Sequence, residues 1–162
     1  MNSSVVIPQV ANAPSIRLAL EAEVLDTVPA DTLAVCLCAD VRPLAGLADL
    51  LDWRLCGRLT SLLMAGTFVG QAGETMLLGV HERLPKKRVV VFGCGSRAGL
   101  EMHVDDMCRW MVQILDGVQA GRVAIGLPEP STRLQSVART LLPVLLADRF
   151  AGIFDEDPRF AG

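Results

Sequence analysis

The chain has 162 residues, 51% of them hydrophobic and 20% charged, and its 15 basic and 18 acidic residues give a net charge of −3. That length is one domain's worth, and the apolar content excludes a disordered chain. The acidic balance offers no bulk attraction to nucleic acid, and five Phe and two Trp with no Tyr make a poor surface for stacking bases.

Residues 1–14 carry no basic group ahead of an apolar run and read as a flexible leader, not a secretory signal. Ile16, Leu18, Leu20, Ala22 and Val24 then alternate with Arg17, Ala19, Glu21 and Glu23, the pattern of a strand with one wet face at a sheet margin. Asp26 to Asp31 contains Pro29 and reads as a turn. Leu33 to Cys38 is apolar throughout, as an inner strand covered on both faces requires. Leu47, Leu50, Leu51, Leu55, Leu59, Leu62 and Leu63 lie on one helical stripe. They predict a single helix from Gly46 to Met64, with Asp49 and Asp52 in its first half and Gly66 ending it. Thr67 to Glu74, with Gly70 and Gly73, is a turn-rich connection. Thr75 to His81 and Arg88 to Phe92 are predicted strands, joined by a turn at Leu84-Pro85-Lys86-Lys87.

After Gly93-Cys94-Gly95 a second helix is predicted from Leu100 to Leu115, burying Met107, Trp110, Met111, Ile114 and Leu115, with Gly117 stopping it. Arg122 to Leu127 is an apolar strand broken by Pro128 and Pro130. Ser131 or Thr132 caps a last helix that uses Leu134, Val137, Ala138, Leu141, Leu142 and Leu145, with Pro143 expected to kink or shorten it. Interleaved strands and helices predict an α/β fold, a mixed, largely parallel sheet with helices on both faces. One domain is expected at 15–152, with a polar tail at 153–162. The longest apolar runs, such as Val89 to Phe92, are too short to span a membrane. Cys36, Cys38, Cys56, Cys94 and Cys108 sit in apolar segments and read as reduced thiols of a cytoplasmic protein.

The segment from Val89 to Gly99 is the foremost ligand candidate. A strand running through glycines into a helix aims backbone N–H groups at the helix start, which suits a phosphate. Gly93, Gly95, Ser96 and Arg97 are its candidate binding residues. The context is poor for a dinucleotide, since the unit lies mid-chain and the next strand ends near Glu129, well past the usual ribose-binding offset of about 20 residues, and a tight strand–helix turn is the competing account. His103 and Asp106 share a helix face, yet two ligands are too few for a metal, so no metal site is assigned. Cys94 between its glycines has the setting of a thiol with lowered pKa, against the plainer reading of a small buried residue. Cys36 and Cys38 face one way on a strand and read as core. Arg83, Lys86, Lys87 and Arg88 form a basic turn, read as solvated charge with DNA binding as the lesser alternative.

The residues also resemble a known family. Asp31 to Leu37, Leu51-Asp52 within a helix, Gly66-Thr67-Phe68-Val69-Gly70-Gln71-Ala72-Gly73-Glu74, and Lys86 to Gly95 come in the order found in the amino-terminal domain of leucine aminopeptidases. The resemblance covers most of residues 16–150 and implies a macro-domain-like fold, a three-layer α/β/α sandwich. It further implies a domain that packs the family's hexamer and shapes access to a dinuclear metal site carried elsewhere, with DNA binding associated with some bacterial relatives. Nothing in the chain matches the family's metal-binding N-T-D-A-E-G-R segment, and Lys86 and Lys87 lie in a turn, so no catalytic residue carries over. The expectation is a non-catalytic domain without cofactor, acting through a protein partner or a homo-oligomer. A nucleotide or ADP-ribose-like ligand at Gly93–Gly99 is the alternative.

Overall fold

The computed structural model describes residues 17–19, 21, 23–84, 87–128 and 132–155. The expected leader at 1–14, Pro85, Lys86, Pro130, Ser131 and the tail from 156 onward lie outside these residues.

The sheet is built on three strands whose side chains are almost all apolar, β2 (Thr32–Leu37), β4 (Arg88–Gly93) and β5 (Val123–Gly126). With β1 (Arg17–Ala19), β3 (Thr75–Leu78) and β6 (Phe150–Asp155) they form a six-stranded sheet in the order β1-β6-β5-β2-β4-β3. Every neighbouring pair is parallel except β3 with β4. This is the mixed, largely parallel sheet expected. Because side chains alternate across a strand, Leu33, Val35, Leu37, Val89 and Val91 enter one core, and Ala34, Cys36, Val90, Phe92 and Ile125 enter the other.

Helices cover both faces. On the first lie α1 (Val24–Thr27), α2 (Gly46–Arg54) and α3 (Arg58–Met64), and on the second α4 (Arg97–Met102), α5 (Val104–Gly117) and α6 (Thr132–Leu146). The three-layer α/β/α arrangement follows.

Four elements depart from the sequence expectation. The helix foreseen over 46–64 is two helices, because Cys56 and Gly57 take left-handed φ of 55° and 79°. Gly57 reaches this conformation without a Cβ clash. The Asp52 carboxylate then caps the new helix, accepting from the Thr60 amide at 3.0 Å and from its hydroxyl at 2.5 Å. The helix foreseen over 100–115 starts earlier, at Arg97, and breaks at His103, where Asp105 and Asp106 open α5. Of the strand foreseen over 16–24, Arg17–Ala19 is β-strand and Val24–Thr27 is a helical turn, while Ile16, Leu20 and Ala22 lie outside the described residues. The strand foreseen from Thr75 ends at Leu78, with His81 in a 3₁₀ turn. In addition, β6 extends the sheet through Asp155, inside the segment read as tail. Pro143 stays within α6, which runs on to Leu146.

In the basic turn Arg83 and Arg88 are exposed, as expected of solvated charge, and Lys87 is the exception. Lys87 is half-buried at the amino-terminal ends of the strands, and its Nζ donates to the carbonyls of Val28 and Ala30, both at 2.6 Å. Arg88 donates to the carbonyls of Val118 and Gln119. These cations close chain turns and do not form a free positive patch. Burial pushes the Lys87 pKa down, while Asp31 and Asp26 pull it back up. Lys87→Met is therefore expected to orphan the Ala30 carbonyl and to leave the Val28 carbonyl with the Ala30 amide alone, at a cost of about 1–3 kcal/mol in urea unfolding.

Candidate functional site

The site lies at the carboxyl end of β4, where parallel α/β sheets place their crevices. Gly93 ends the strand, and Cys94, Gly95 and Ser96 carry the chain into α4. Around them lies a cavity of about 550 Å³, lined by Ala72 and Gly73 before β3, by Gly93 to Ser96, and by residues of α4 and α5. From α5 and the residue before it come His103, Asp106, Met107 and Trp110, one helix face at i, i+3, i+4 and i+7. Three of the four expected binding residues, Gly93, Gly95 and Ser96, thus meet in one cavity. Arg97 does not line it, and faces a narrow crevice beside Cys38, Val41 and Pro128.

The expected phosphate cradle is already filled by the chain itself. The Gly93 amide donates to the Glu74 carbonyl at 2.8 Å, Cys94 to Leu37 at 2.9 Å and Gly95 to Gly70 at 2.9 Å. Ser96 caps α4 by accepting from the Gly99 amide at 3.1 Å. The Arg97 amide donates to the Asp40 carboxylate at 2.9 Å, so a carboxylate of the chain stands where an anion would sit. The glycines serve close packing. A Cβ on Gly93 would lie 2.2 Å from the Gln71 carbonyl oxygen, and one on Gly95 would lie 3.2 Å from the Ala72 Cβ.

Sulfur atoms gather on the floor. The Cys94 thiol points at Met107 Sδ at 3.5 Å, and the Cys36 thiol at Met111 Sδ at 3.6 Å. A hydrogen bond with Cys94 holds the Cys36 pKa well above the usual thiol range, and burial adds to it. Burial pushes Cys38 and Cys108 up to about 12. Neutral, packed thiols are the outcome. His103 Nδ1 lies 3.9 Å from Asp106 Oδ2, both exposed at the cavity mouth.

The Gly66–Glu74 connection that carries the resemblance has a mechanical role here. Glu74 Oε2 accepts the amides of Val69 and Gly70, each at 3.0 Å, and pins the loop against the end of β4. A family model described as the cytosol aminopeptidase family, N-terminal domain, matches residues 35–142, well over half of the chain. The chain belongs to the cytosol aminopeptidase family.

A probable cytosol aminopeptidase from Glaesserella parasuis serovar 5 (strain SH0165) is 31% identical over 97 residues, covering 59% of this chain and 20% of that protein. A tomato leucine aminopeptidase mutant superposes on 91% of the chain and 33% of its own, at TM-score 0.58 and 17% identity. The chain thus spans a fifth and a third of these two relatives. The fold is shared beyond the enzymes. An Oceanobacillus iheyensis macrodomain mutant matches 87% of this chain and 84% of its own at TM-score 0.56 and 8% identity. The macrodomain of Thermus aquaticus DarG matches 90% and 100% at TM-score 0.54 and 11% identity. The fold is macro-domain-like, as the resemblance implied. Among the described residues no helix is long and apolar enough to cross a membrane.

Proposed function

We propose that this cytosol aminopeptidase amino-terminal domain acts through protein contacts, as an assembly module that packs against further copies or against a catalytic or regulatory chain. The observation that carries the reading is a set of large apolar side chains left outside two well-filled cores. Trp53 on α2 is 72% exposed, Met64 on α3 84% and Leu77 on the edge strand β3 60%. Side chains of this size on a folded surface mark contact sites, and Trp in particular anchors interfaces. Membership in an aminopeptidase family supports the same reading. The residues present supply none of the family's metal-binding segment, so no aminopeptidase turnover is assigned to them.

Sedimentation equilibrium from 1 to about 100 μM tests this directly. Self-association that Trp53→Lys and Met64→Lys reduce at least tenfold, with the thermal transition unchanged, is the expected result. A strict monomer that also fails to bind the catalytic portion of a family member overturns it. A second reading, a ligand-binding module at the Gly93–Gly99 loop, is favoured by the cavity of about 550 Å³ there, a volume suited to a small molecule.

A further inference from the structure

We propose that the cavity between the Gly93–Ser96 loop and α5 takes a compact aromatic amine, its ring against Trp110 and Met107 and its ammonium at the Asp106 mouth. The inference rests on the ligand reading of this cavity and names the chemical class that fits it.

The cavity has no equipment for an anion. Among the described residues none that lines it is Lys or Arg, and the one carboxylate among them, Asp106, repels negative charge. The amides of Gly93, Cys94, Gly95 and Gly99 are already spent on Glu74, Leu37, Gly70 and Ser96. A phosphate would have to break those bonds and would meet the Asp106 carboxylate, so it is disfavoured twice over.

The same walls suit a ring. Ala72, Leu100, Met107 and Trp110 are apolar, and the glycines between them let a flat ligand approach the backbone. The Trp110 ring is held in advance by its edge contact with Phe92, with centroids 5.3 Å apart and planes at 83°. A preset aromatic wall lowers the ordering cost of a stacked ligand. Met107 and Cys94 add polarisable sulfur, which aromatic edges favour. The polar groups sit apart from this interior, with Asp106 and His103 exposed at the rim. A ligand with an apolar ring and a positive end satisfies both zones, pairing its ammonium with the carboxylate and the indole π-face.

A charge series on one ring tests the class. Tryptamine, 3-methylindole and indole-3-acetate carry the same indole with a positive, neutral or negative arm, and ADP-ribose supplies a phosphate-bearing arm. Binding is followed by amide chemical-shift titration at about pH 6.5, where both the primary amine and a peptide's α-amino group keep their protons. Tryptamine is expected to bind about threefold to tenfold tighter than 3-methylindole, with indole-3-acetate and ADP-ribose weakest. Asp106→Asn, at an exposed position, should erase the tryptamine advantage and leave 3-methylindole unchanged. Ala72→Phe, in an exposed turn, should weaken all ring ligands by growing over Gly95, with the spectrum of the free protein otherwise preserved.

A tryptophyl peptide amide, which presents the same ring and ammonium at a chain start, separates the two sources of this chemistry. Binding as tight as tryptamine's assigns a peptide amino terminus, and weaker binding assigns the free amine. Indole-3-acetate or ADP-ribose binding as tightly as tryptamine overturns the class while the cavity stands as a ligand site. An Asp106→Asn variant that keeps the full tryptamine preference also overturns the class. No shift from any ligand at millimolar concentration overturns the ligand reading together with it.

Discussion

Gly93→Ala is expected to lose about 3 kcal/mol of stability or more, a large share of what a domain of this size possesses. The added Cβ would lie 2.2 Å from the carbonyl oxygen of Gln71 and 2.9 Å from the carbonyl carbon of Gly70, both backbone atoms with no rotamer to change. The loop cannot retreat easily. Glu74 holds the amides of Val69 and Gly70, and the Gly93 amide is itself tied to the Glu74 carbonyl. On its far side Gly70 stands close to the chain at Cys38–Ala39, where a Cβ would already meet the backbone at 3.1 Å. Gly117→Ala is the matched control, since its Cβ would meet nothing within 4 Å at the end of α5. It should be neutral or slightly stabilising. Urea unfolding of both variants checks the pair. A Gly93→Ala protein within about 1 kcal/mol of the parent would show that the Gly70–Gln71 backbone yields and that packing does not require this glycine.

The strands β2, β4 and β5 were legible because their apolar runs admit only one environment, a sheet covered on both faces. Helix existence was equally plain, but helix breaks were not. Leu51, Leu55, Leu59 and Leu63 continue one stripe straight through Cys56 and Gly57, so periodicity alone could not show the left-handed turn between them. Gly57 in mid-helix was the available hint. The strand β6 escaped because its alternation is out of phase. Pairing with β5 skips a residue between Phe150 and Gly152, so Phe150 and Ile153 enter one core while Ala151 and Phe154 enter the other. A bulge of this kind hides a strand from any period-two reading.

The site was half legible for a related reason. Its glycines marked a strand–helix junction correctly, and the spacing of His103, Asp106, Met107 and Trp110 already put them on one helix face. What the loop's amides do was not in the local sequence. Their acceptors are Leu37 and Asp40 at the end of β2 and Gly70 and Glu74 in the connection before β3, two other segments brought close by the sheet order. Two cations of the basic turn show the same limit, because the carbonyls that receive Lys87 and Arg88 belong to residues 28–30 and 118–119. Long-range partners decide whether a group is available, and a local pattern carries no record of them.

Alkali should destabilise this domain from about pH 9 upward, and the buried thiols are the reason. Cys38 and Cys108 titrate at about 12 in the fold, and Cys36 is also raised, against 9.0 for an unperturbed thiol. Below pH 9 both folded and unfolded chains keep these protons, and the contribution to stability is complete. Above it the unfolded chain releases protons that the folded chain retains, so the unfolded state is favoured as pH rises towards 12. The slope approaches about 1.4 kcal/mol per pH unit for each thiol. Lys87 acts in the opposite sense, because its pKa is lowered on folding, but it is a single group against three. Urea unfolding under reducing conditions should therefore show stability level from pH 7 to 8.5 and falling steeply from pH 9 to 10.5. Cys108→Ala should lower stability at neutral pH by leaving a small void, and should make the alkaline fall shallower. A double Cys38→Ala/Cys108→Ala protein whose alkaline slope equals that of the parent would refute the thiols as its source.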